Sequence, residues 1–150
     1  MDVRTTRTTR TTRAPAERRL LMAGYLFMFG STIHILDHLR RGQGSVTEQL
    51  YWAGNFALVV QVVVITLVLT RHRVAPIAAA AAGFPLAIGF AAAHWLPKWS
   101  SLSDSFVDDG ANAFSYVASL LEITGALAVG LAGLSIIRAR GLASMLVSGS

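Results

Sequence analysis

Two histidines stand four residues apart with an acid between them, in the run His34-Ile-Leu-Asp37-His38-Leu-Arg-Arg-Gly42. On a helix, positions i, i+3 and i+4 share one face, so this spacing aims two imidazoles and a carboxylate the same way. His-x-x-x-His suits a metal ion, but a zinc protease needs Glu directly after the first His. Ile35 holds that position and excludes the class. His94 and Glu122 are the other titratable groups inside long apolar runs. An ionisable group at the centre of a membrane helix costs about 2.5–3.5 kcal/mol on insertion, so it turns inward, takes a partner and by default marks function.

Imidazoles with a carboxylate suit zinc, copper or iron. The candidate cofactor- and metal-binding set is therefore His34, His38, His94 and Glu122. Haem is a variant of this reading, with His34 or His38 facing His94 as axial ligands in a four-helix bundle. A second function class is a small carrier or proton-coupled accessory protein, in which Glu122 and His34 relay protons. A third is a non-catalytic subunit of a membrane complex. Ser115, Ala118, Ser119, Glu122, Ala126 and Gly133 form a narrow face of small or polar residues on which a partner or a second copy would dock. No spacing matches a catalytic motif, so enzymatic activity is left open. Asn55 and Gln61 are able to bond between helices without further duties, and Asp37, beside Arg40 and Arg41, also fits a wet helix end.

The elements that carry these residues are apolar runs of about 20–39, 52–70, 76–97 and 113–137, broken only by Asp37 and Glu122. A helix needs about 20 apolar residues to cross a ~30 Å hydrocarbon core, and the runs lack the alternation of barrel strands. The expected fold is all-α, a bundle of four transmembrane helices. The first run is too long for a signal peptide and precedes no small-x-small cleavage site, so it is expected to remain as a signal anchor.

Lys and Arg counted by segment give the direction. With both termini inside, Arg4, Arg7, Arg10, Arg13, Arg18, Arg19, Arg71, Arg73, Arg138 and Arg140 are cytoplasmic, and only Arg40, Arg41 and Lys98 are outside. The expected orientation is N-in and C-in, in the plasma (cytoplasmic) membrane. His34 then lies about 7 Å below the outer end of its run and Glu122 about 13 Å below that of the fourth, at 1.5 Å per residue. Helical side chains lean toward their own N-terminus. His34, His38 and His94 thus lean inward and Glu122 outward, and all four converge in the outer leaflet. Tyr51, Trp52, Trp95, Trp99 and Tyr116 fall at outer ends, as an interfacial belt does.

Composition agrees. The 150 residues are 53% hydrophobic and 14% charged, with mean hydropathy +0.53; a soluble domain carries about 25% charge. The net charge of +5 resides almost wholly in residues 1–19, where Thr-Thr-Arg repeats, so a nucleic-acid surface across the fold is excluded. That segment has little to bury and is expected to be a disordered basic cytoplasmic tail drawn to anionic lipid. Residues 138–150 are the expected cytoplasmic C-terminal tail. With no cysteine there are no disulfides and no thiolate metal sites. In the loop Lys98–Asn112, three acids lack EF-hand spacing; Asp108, Asp109 and Asn112 are expected to cap the fourth helix.

Overall fold

Caps and breakers in the sequence set the helix ends. In the computed structural model, which describes residues 3–141 (side chains from Pro15 on, apart from Gln43), the elements are α1 (Val3–Arg41), a 3₁₀ turn at Gln43–Ser45, α2 (Glu48–Leu69), α3 (Ala75–Trp95), α4 (Phe106–Asp109) and α5 (Ala113–Arg140). There is no strand among the described residues. Pro15–Arg41, α2, α3 and α5 are each long and apolar enough to cross a membrane.

α2 starts ahead of its apolar run because Thr47 caps it, its hydroxyl accepting from the Leu50 N–H at 3.2 Å. α3 stops at Trp95 because Leu96 precedes Pro97 and is pushed into extended backbone (φ −93°, ψ 153°). Asn112 caps α5 as expected, accepting from Ser115 N–H at 3.1 Å. Asp108 instead accepts from the Lys98 N–H at 2.6 Å and ties down the loop. The Arg/Thr-rich stretch expected to be disordered has helical backbone from Val3 onward; its arginines have good helix propensity and local hydrogen bonds need no tertiary partner. Of the expected C-terminal tail, Arg138–Arg140 form the last turn of α5, and 142–150 lie outside the described residues.

α5 is the central packing partner. α1 and α3 pack along it, and α2 rests more lightly against α1 and α3. The buried residues of α5 recur at seven-residue intervals: Ser115, Glu122, Val129 and Ile136 on one row, Ser119, Ala126 and Gly133 on the next. Such a row faces its neighbour along the whole helix. Lipid offers no hydrophobic gain for association, so helices in it hold together by close approach over small residues. A Cβ placed on Gly125 would lie 2.5 Å from Phe27 Cα, and one on Gly83 2.6 Å from the Ala126 carbonyl oxygen. The small-residue face of α5, read from sequence as a docking surface, is therefore filled by the chain's own α1 and α3: Ala118, Ser119, Glu122 and Ala126 are all buried. Large apolar side chains such as Phe29, Leu39, Phe56, Val59 and Ile88 point outward.

Candidate metal centre

The last two turns of α1 deliver His34 and His38, whose rings stack at 4.7 Å with planes 27° apart. The last turn of α3 brings His94 edge-on to His34 at 4.7 Å and to within 5.6 Å of His38. One ring nitrogen from each of the three lies within 4.8 Å of the others. His34 and His94 are each 3% exposed and His38 is half-buried. His94 is thus an interior residue despite its exposed neighbour Trp95. His72 is exposed in the α2–α3 turn and takes no part.

Glu122 reaches this layer from α5 but does not join the ring nitrogens as a fourth member. Its Oε2 is hydrogen-bonded to His34 Nδ1. A carboxylate accepts here, so Nδ1 carries a proton. The Nε2 atom is buried and has no hydrogen-bond partner among the described residues.

His94 repeats the pattern with an acid not placed in the candidate set by the sequence reading. Its Nδ1 lies 3.3 Å from both the backbone oxygen and the Oδ2 of Asp104. Both atoms only accept, so again Nδ1 is the protonated nitrogen. Asp104 sits in the long loop, yet it is 1% exposed. Its other partner is Arg41, which donates two bonds at 2.6 and 2.5 Å. Burial works against the charge of Asp104, but the hydrogen bonds from His94 and Arg41 outweigh it and hold the carboxyl well below the usual carboxylate range.

The loop thereby closes this end of the helices. Phe106 is 1% exposed and stacks on His94 at 4.6 Å, with the Arg41 guanidinium 5.2 Å above its ring. Beside the Arg41–Asp104 pair, a cleft of about 460 Å³ lined by Arg41, Ser45, Thr47, Lys98, Ser103 and Asp109 opens to the surface. Asp37 is fully buried, not wet; it accepts from Arg40 at 2.6 Å, and Arg40 reaches Ser115 of α5 at 3.2 Å. Asn55 bonds back to its own helix at the Tyr51 carbonyl, 2.8 Å away, and bridges to no other helix among the described residues.

The three-histidine set fits a small ion better than a haem. Zn–N bonds of about 2.0–2.1 Å place tetrahedral ligand nitrogens roughly 3.3 Å apart. Nitrogens no more than 4.8 Å apart need to draw in by at most about 1.5 Å, and half-buried His38 has the freedom to do so. Rings 4.7 Å apart leave no slot for a porphyrin between His34 and His94. Comparison with protein-family models, curated proteins and solved structures finds no match to this chain.

Proposed function

We propose that this chain is a multi-pass protein of the cytoplasmic membrane, with both termini inside, that binds a transition-metal ion through His34, His38 and His94 at its outer end. Zinc and copper suit an all-imidazole donor set. Glu122 and Asp104 serve as the carboxylates that orient and polarise His34 and His94, so Glu122, first read as a ligand, acts one bond further out. Metal-ligating histidines characteristically donate their other ring N–H to a carboxylate.

The observation that carries this reading is His34. Its ring is 3% exposed, one nitrogen is bound by a carboxylate, and the other is buried without a partner among the described residues. A buried polar atom left unpaired costs about 1–3 kcal/mol, and a metal ion removes that cost. The test is metal analysis of protein purified in lipid nanodiscs, followed by Co²⁺, Cu²⁺ and Zn²⁺ titration. Stoichiometric uptake, lost in His34→Ala and in His94→Ala, is expected; folded wild-type protein that takes up none of the three ends the proposal.

The His34–Glu122 pair also supports a second reading, the proton-coupled carrier. In that case Glu122→Gln abolishes pH-driven proton uptake in proteoliposomes that contain no metal, whereas a metal site alone predicts no such uptake.

A further inference from the structure

Outside the histidine cluster, three side-chain atoms are buried and unsatisfied among the described residues: Ser31 Oγ, Asp37 Oδ2 and Gln61 Oε1. Ser31 Oγ of α1 and Gln61 Oε1 of α2 belong to residues 4% exposed each, and neither makes a hydrogen bond among the described residues. A helical hydroxyl readily bonds the carbonyl one turn back, as Thr32 does to Met28 at 2.8 Å and Thr70 to Thr66 at 2.7 Å. Ser31 does not, so its hydroxyl is aimed elsewhere.

The helix register says where. α1 and α2 are antiparallel neighbours, and Gly24 abuts Val68 so closely that a Cβ on it would lie 2.6 Å from Val68 Cγ1. Seven residues onward from Gly24 is Ser31, and seven residues back from Val68 is Gln61. Seven residues make almost two whole turns, a rise of about 10.5 Å on each helix, and return to nearly the same face. Ser31 and Gln61 therefore stand at one level on the facing sides of α1 and α2. His34 lies less than one turn above Ser31 on the same face. Below, Phe27 and Val64 are buried apolar residues of the core.

We infer that this level holds a buried water, bridging Ser31 Oγ and Gln61 Oε1 on the inner side of the histidine cluster. Buried waters typically make about three hydrogen bonds to polar groups that would otherwise be unsatisfied, and a bridging water is nearly as favourable as a direct bond. The Ser31 hydroxyl donates to the water, and the water donates one proton to Gln61 Oε1 and directs the other toward the His34 level. The apolar floor of Phe27 and Val64 makes the site a dead end, not a through-path. The water site stands apart from the metal proposal.

The experiment uses full-length, metal-free protein in lipid bilayers, so that its outcome is independent of metal uptake. Water-edited solid-state NMR measures how fast magnetisation passes from water to Ser31 Cβ and to the Gln61 side-chain amide. Fast transfer at both, against slow transfer at Phe27 and Val64, is expected, and Ser31→Ala should slow it at Gln61. Slow transfer at both wild-type positions, as a dry core or a direct Ser31–Gln61 bond produces, overturns the inference. As a check on folding, Ser31→Ala and Gln61→Leu should each lower the thermal midpoint, with the double variant losing less than the sum. Single variants that are neutral or more stable than wild type also overturn it, because removing an unhydrated orphan relieves the protein.

Discussion

Glu122 and Asp104 do the same job from different places. One stands on α5 and the other hangs from a loop, and each lies against the Nδ1 of a histidine. Losing such an orienting carboxylate typically costs 10–100-fold in metal affinity. Glu122→Gln should therefore weaken Zn²⁺ or Cu²⁺ binding by about that factor while far-ultraviolet circular dichroism stays unchanged; His38→Ala, which removes a ligand, should weaken it further. Competition titration against a chelator of known affinity measures both. The proposed metal binding should also fall on acidification, because histidine ligates only when neutral. Asp104 does not contribute to that loss. Its folded-state pKa is depressed, so the stability it confers is fully present above its ordinary value of 3.8 and is lost only as pH falls through the lower folded value. Loss of metal on acidification is thus assigned to the imidazoles, and the chain should remain folded as it occurs.

At the scale of elements, α5 sets the distance between the two halves of the site. Gly125 touches Phe27 backbone one turn below Glu122, so any side chain there must push α1 outward. Overpacking of this kind costs about 1–3 kcal/mol. Gly125→Leu should lower the thermal midpoint in detergent and, by separating His34 from Glu122, also weaken metal binding; Gly89→Ala, where a Cβ meets nothing within 4 Å, is the control. The loop over the site is held by charge. Asp104 is fully buried and the Arg41 side chain is 14% exposed. Removing one partner of a buried ion pair strands the other, at about 3–5 kcal/mol. Asp104→Asn should destabilise by that order in chemical unfolding and should raise hydrogen exchange across the segment from Trp99 to Asn112.

At the scale of the whole molecule, orientation decides which compartment meets the histidine cluster. The chain has no cysteine, so a single introduced one is a unique reporter. Ser100→Cys, in the loop over the site, should react with a membrane-impermeant maleimide in intact cells, and His72→Cys, in the opposite hairpin, only after lysis. The converse result would turn the site to the cytoplasm and remove the positive-inside argument.

Hydropathy and helix period were enough to find four long apolar helices and the shared face of His34 and His38, because both depend on residues near one another in the chain. A span is a property of some 20 consecutive side chains, and an i, i+4 pair is fixed by the helix itself. The convergence of His34, His94 and Glu122 was also legible, since side-chain lean and depth along antiparallel helices are nearly one-dimensional quantities. Only the tertiary structure decided that Glu122 sits behind His34, that Asp104 and not a helical acid supports His94, that Asp37 is buried, and that the small-residue face of α5 is already occupied. Those outcomes depend on which helices touch and on where a loop folds back. An acid such as Asp104 has the same sequence neighbours whether it faces water or is drawn beneath an arginine, so nothing local distinguishes the two.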